Sequence, residues 1–129
     1  MNRYFSTLIY MVLAALLSSV VSTAQAHHGW AWAEDEQIDM TGVIREVHVG
    51  PPHPRLEIRT EDDGDWQVDL GNPTQTEEAG FDEGSASKGD TVVVRGHRSK
   101  DADEKLIKAV RITIGDDVYT FYPDRVEDY

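Results

Sequence analysis

From residue 38 onward the chain alternates apolar and polar positions in short runs, the period of two expected of half-buried strands. Ile38 and Met40 open the first run. The phase slips across Gly42 and resumes at Val43, Val47 and Val49, which predicts a long first strand over 38–49, bulged and bent at the glycine. Gly50-Pro51-Pro52-His53-Pro54 lacks three amide donors and forms a stiff connection. Leu56 and Ile58, an Asp-Gly turn within 61–65, and Trp66, Val68 and Leu70 together predict a hairpin. Asn72-Pro73 opens the one predicted helix, which runs from Thr74 to Ala79 and stops at Gly80. After a small, polar stretch, Lys88-Gly89-Asp90 turns into a strand with Val92 and Val94 on one face. Leu106, Val110, Ile112 and Ile114 mark a fifth strand, and Gly115-Asp116-Asp117 turns it into a last one over 118–122.

Three strands, a short helix, then two or three strands, with no βαβ alternation, indicate an all-β domain. The expected architecture is a small OB-like β-barrel of five to six strands with one short helix between strands three and four. A small meander sheet or sandwich is the alternative. The first 26 residues read differently. Arg3 precedes an apolar stretch from Leu8 to Val21, and Ala24-Gln25-Ala26 supplies a small-x-small cleavage pattern. Residues 1–26 are therefore expected to be a signal peptide, and 27–129 a single domain with a lead-in over 27–37. The apolar stretch is too short and serine-interrupted for a membrane span, and no cysteine follows it to carry a lipid. The expectation is a periplasmic or secreted protein, cleaved near Ala26, with no stable membrane anchor.

Composition narrows the function. The 129 residues include 24 acidic and 12 basic side chains, a formal net charge of −12, and no cysteine. Disulfide scaffolds, thiolate metal sites and cysteine nucleophiles are excluded. A chain without a net positive face gains little from counterion release, so no nucleic-acid partner is expected. There is no Ser-His-Asp signature, nucleophile elbow, phosphate-binding glycine loop or His-Glu-x-x-His helix. The expectation is a binding protein, not an enzyme.

Several segments carry a resemblance. Ala26-His27-His28-Gly29-Trp30 is similar to the Ala-His-His-Ser-Phe start of an uncharacterised family of small exported bacterial proteins. The likeness continues through Thr41-Gly42-Val43-Ile44, Pro52-His53, the run from Trp66 to Pro73, and the run from Lys88 to Gly96. The family commonly reads Asn before Pro-His, where this chain has Pro51, and a Trp where it has Val49. The resemblance implies an exported OB-like domain and names no substrate.

The histidines supply the candidate chemistry. Cleavage after Ala26 makes His27 the amino terminus, where its α-amine and imidazole together chelate a divalent ion. His28 adds a nitrogen, and His53 approaches from the proline-stiffened loop. His27, His28, His53 and an oxygen from Asp69 or Glu34 form the candidate metal set, with copper(II) or zinc as the expected ion and otherwise no cofactor. The plainer reading makes the two terminal histidines a polar start and His53 a turn cap. Trp30 and Trp32 share a face in an extended lead-in and are candidates for stacking on a small ligand or a protein partner, neither identified; equally they pin the lead-in to the core. His48 and His97 have weak functional claims. Trp66 and Met40 read as core, which argues against a methionine-based cuprous site. The acidic clusters read as solvated turns.

Overall fold

The computed structural model describes residues 29–128. The chain divides into two units between Trp30 and Ala31, and everything below concerns the second. Its elements are β1 (Ile38–His48), β2 (Arg55–Thr60), β3 (Gly64–Asp69), α1 (Pro73–Glu78), β4 (Thr91–Arg98), β5 (Leu106–Ile114), β6 (Asp117–Thr120) and a closing 3-10 turn, Pro123–Arg125. The sheet order is β3-β2-β1-β4-β5-β6, and a further parallel pairing of Gln67–Asp69 with Leu106–Lys108 joins β3 to β5. That contact closes five strands into a barrel, and β6 lies outside the ring against the second half of β5. The expected all-β, OB-like barrel with one helix between strands three and four is the architecture found.

The core follows from the alternation. Ile44, Leu56, Ile58, Val68, Val92, Val94, Ile107 and Ile112 are fully buried inside the barrel, each adding roughly 1.5–3 kcal/mol by leaving water. Trp66 joins them, as its place in the pattern implies, and Met40 packs partly buried against the same cluster. The β2–β3 hairpin pairs Thr60 with Gly64 across the tight acidic turn, where Gly64 takes a positive φ of 73°. Asn72 caps α1 by accepting from the Gln75 N–H at 2.8 Å, while the Gln75 side chain accepts from the Asn72 N–H at 3.2 Å. This reciprocal box starts the helix. After α1, Phe81 enters the core edge-on to Tyr119 and Phe121, at centroid distances of 5.1 and 6.2 Å.

The first strand differs from expectation in one respect. The phase slip is a bulge at Arg45: Ile44 pairs with Ile58, and Glu46 with Glu57. Gly42 instead stays in phase with Met40 and Ile44. A Cβ there would sit 2.9 Å from Ile58 Cδ1 and 3.0 Å from the Arg59 carbonyl oxygen, so the glycine serves close packing of β1 on β2. Val43 consequently points outward, 42% exposed. A second bulge, in β5, skips Val110 between the Arg95–Arg111 and Gly96–Ala109 pairs. The Val110 carbonyl then accepts the N–H groups of Phe121 and Tyr122 at 2.9 and 3.2 Å, which lays the C-terminal segment against the barrel.

Candidate functional site

Two features of the barrel's outer surface carry chemistry. The first is a groove of about 540 Å³ over β1, β2 and β4, lined by Thr41, Gly42, Val43, Arg45, Arg59, Thr60, Glu61 and Thr91. Register explains its composition. Val43 pairs with Arg59 on one side and Thr91 on the other, and Thr41 pairs with Val93. Val93, 37% exposed, extends an apolar, β-branched strip through Thr113 to Val118 on β6. All three exposed large hydrophobic residues found among the described residues, Val43, Val93 and Val118, lie on this strip.

The two guanidinium groups of the groove are in different states. Arg59 grips Asp65 with two bonds, 2.8 and 3.0 Å, and this holds the Asp65 carboxyl below the usual carboxylate range. Arg45 stands on the bulge, fully outside the ladder. It acts on Asp65 through space and makes no ion pair among the described residues. Bulges re-aim side chains in this way.

The second feature is a polar cluster outside the barrel wall, beneath the lead-in and the C-terminal segment. Lys108 is only 3% exposed. Its Nζ lies 6.0 Å from the Trp32 ring centroid and 5.7 Å from that of Tyr122, within reach of cation–π attraction. Burial pushes the ammonium below the ordinary lysine range; the Asp69 carboxylate opposes that shift and Arg125 adds to it. The Tyr122 phenol is pushed up, chiefly by burial. Next to Lys108 on the adjoining strand is His97, 7% exposed. Its Nδ1 lies 2.9 Å from the Glu34 carbonyl oxygen and its Nε2 lies 3.2 Å from Gln37 Nε2. Gln37 also donates to the Arg125 carbonyl at 2.8 Å and accepts from the Glu127 N–H at 2.9 Å.

The expected site residues are placed unequally. His27 and His28 lie outside the described residues. Trp30 belongs to the preceding unit, whereas Trp32 is half-buried over Lys108. His53 is half-buried on the loop before β2; Pro54 beside it is fully buried and accepts the Leu70 N–H at 3.0 Å. Asp69 pairs with Arg55 on β2, accepts from Gln67 at 2.8 Å and acts electrostatically on Lys108. Among the described residues no group of three or more His, Cys, Asp or Glu side chains is placed to hold a metal. Glu34 contributes its carbonyl to His97. His48 is a half-buried strand end near the Pro51 carbonyl. His97, given a weak claim above, is the most interconnected of the described histidines. Lys108 and Gln37 were missed altogether. The available signal for Lys108 was a charge set between Ile107 and Ala109 in an apolar strand; nothing comparable marked Gln37.

A model of the family of unknown function DUF6152 matches residues 14–108. No curated protein matches the chain. Among solved structures, the S. pombe Stn1–Ten1 complex is similar at 17% identity and a TM-score of 0.52, covering 63% of this chain and 59% of that one. The match thus spans less than two thirds of that protein's length. Rim1 of S. cerevisiae, described as a mitochondrial single-stranded DNA binding protein, is similar at 12% identity and a TM-score of 0.47, covering 64% and 95% of the two chains. The first likeness shows an OB-type fold, and that fold removes the ground on which no nucleic-acid partner was expected. OB-type barrels as a class take oligonucleotides and oligosaccharides on their outer surface, and net charge is a sum over the whole chain. The local face over β1, β2 and β4 carries Arg45 and Arg59 together with Glu61.

Proposed function

The chain belongs to that family of unknown function, and from this membership and the geometry of the barrel we propose that it is an exported, non-enzymatic binding module that takes an extended anionic ligand in its outer groove. Arg45 carries the reading: a guanidinium displaced from the strand ladder, with no ion pair among the described residues, beside hydroxyls and an exposed valine. Its fork suits a phosphate or carboxylate. Thr41 and Thr91 offer hydroxyls, Val43 an apolar floor, Arg59 is already engaged by Asp65, and Glu61 sets one carboxylate on the lining, which limits the anionic charge the groove takes. One available guanidinium on an acidic body suits one or two anionic groups, not a long polyanion.

The test is titration of ¹⁵N-labelled protein with an oligothymidylate of about eight nucleotides, within the span one OB barrel covers. Amide shifts confined to Thr41, Val43, Arg45, Thr60 and Thr91 support the proposal. Shifts confined to other surfaces, or none with either this probe or a carboxylated oligosaccharide, refute it.

A second reading keeps the metal. Its candidate nitrogens are those of His27 and His28, which lie outside the described residues, and of His53, whose Nδ1 is buried. Asp69 is the weaker member, since the Lys108 ammonium competes for its carboxylate. Calorimetric titration of protein beginning at His27 with copper(II) and zinc is the check. Affinity well above that of a free His-His peptide, lost in His53→Ala, supports this reading; peptide-like affinity counts against it.

A further inference from the structure

Building on the groove as an anion site, we propose that its ligand is a single strand of nucleic acid held between two guanidinium groups, Arg45 and Arg111, and that the chain's own Asp128 covers the second. Asp128 sets its Oδ1 3.9 Å from Arg111 Nη1 and 3.7 Å from Arg95 Nη1. The two arginines differ in what else holds them. Arg95 grips Asp39 with two bonds of 2.8 and 3.0 Å and donates to the Glu127 carbonyl at 2.8 Å. Arg111 makes no ion pair among the described residues other than the long one to Asp128. The Asp128 side chain is 87% exposed, so water screens the pair and an incoming anion displaces it readily.

Register sets the distance between the two ends. Arg111 pairs with Arg95, which pairs with Asp39. The next row runs through Thr41, Val93 and Thr113, and the one after it pairs Val43 with Thr91. Arg45 follows on the bulge of β1. From the Asp39 row to Arg45 is a rise of roughly 20 Å along the strand, which no single phosphate or carboxylate spans. Between the two ends these rows of β1, β4 and β5 carry only valine and threonine, with Val43 and Val93 exposed. A fitting ligand is charged at intervals and apolar between them. A nucleotide strand meets this by turning phosphates to the guanidinium forks and base faces to the valines, where a uniformly acidic peptide would set carboxylates. The carboxylates of the face leave that path open: Asp39 is gripped by Arg95, and Glu61 stands at the Arg45 end.

The test measures binding of an oligothymidylate of about eight nucleotides by fluorescence anisotropy over a range of salt concentrations. Asp128→Asn should tighten binding about two- to fivefold, the scale of an exposed ion pair. It should also raise the salt slope from about one phosphate contact to about two, or from roughly 0.7 to 1.4 in log Kd against log salt. Adding Arg111→Gln to Asp128→Asn restores the wild-type net charge and should return both quantities to wild-type values. Glu83→Gln, which removes one exposed charge from the loop after α1, should change neither. A gain that persists without Arg111, or that Glu83→Gln reproduces, overturns the second position and leaves the groove standing. Arg45→Ala without effect on the Asp128→Asn protein removes the groove, and the two-ended seat with it. An oligoglutamate of similar length, bound as tightly and with the same dependence on Arg111, overturns the ligand class. No binding by the wild-type or the Asp128→Asn protein overturns both readings. Should the Arg111 variant not fold, the salt slopes of wild type, Asp128→Asn and Glu83→Gln decide the matter.

Discussion

Replacing Gly96 by alanine should be among the most damaging single-methyl changes in this barrel. Gly96 pairs with Ala109 where β5 bulges. A Cβ there would collide with the Lys108 carbonyl oxygen and stand 2.9 Å from its carbonyl carbon and 3.0 Å from Ala109 Cα. Carbon contacts are comfortable near 3.5–4.0 Å, so β4 and β5 must move apart by roughly half an ångström or more. The obstructing atoms are all backbone and cannot rotate away. Overpacking alone costs about 1–3 kcal/mol, and weakened ladder bonds at His97–Lys108 and Arg98–Ile107 add about 1 kcal/mol. The expected loss is about 2–4 kcal/mol, or roughly 8–32 °C in Tm for a domain of this size. Urea denaturation followed by circular dichroism measures it, with Gly84→Ala as the control: a Cβ at Gly84 meets only the Asp82 side chain, at 3.3 Å, and should change stability by less than about 0.5 kcal/mol. A loss below 1 kcal/mol in Gly96→Ala, at an unchanged m-value, would refute the close β4–β5 approach on which the placement of His97 and Lys108 depends.

The other predictions concern charges and caps. Because burial lowers the Lys108 pKa, the unfolded chain holds more protons between that lowered value and the ordinary lysine value of 10.5, and stability contributed by this group rises with pH across that window. Lys108→Met should remove this rise in the difference between the two proteins from pH 8 to 10, while Tyr122 contributes equally to both; parallel curves would count against a buried ammonium. Asn72→Ala opens the capping box and should cost about 1 kcal/mol, read from the shift in denaturation midpoint. Arg45→Ala should leave stability within about 0.5 kcal/mol, since the side chain is exposed and off the ladder; a larger loss would show a structural role in place of a recognition one.

Much of the barrel was legible because alternation speaks directly to burial. The hairpin, the capped helix and the inward Val92 and Val94 follow from residues that do locally what the fold needs globally. The bulge was misplaced by three residues because a glycine in an alternating run has two physical uses, relief of pleating and close packing, and only the position of Ile58 distinguishes them. Arg45 was passed over for that reason. The outward cluster was illegible for another: Lys108 and His97 sit on the barrel's outer wall and are buried by the lead-in and tail, a contact between segments 60 to 90 residues apart that no local pattern encodes. Of the metal set, His27 and His28 lie outside the described residues, and Asp69 accepts from Gln67 and acts electrostatically on Lys108.

The groove itself is tested most directly by the affinity of a short oligothymidylate for the wild-type protein and for Arg45→Ala, measured by fluorescence anisotropy at two salt concentrations. The account predicts binding that weakens tenfold or more on loss of the guanidinium, the 1.5–3 kcal/mol of a hydrogen bond to a charged group, with a shallow salt dependence equivalent to about one phosphate contact. Equal affinity in the two proteins, or a steep salt slope unaffected by the substitution, would contradict it.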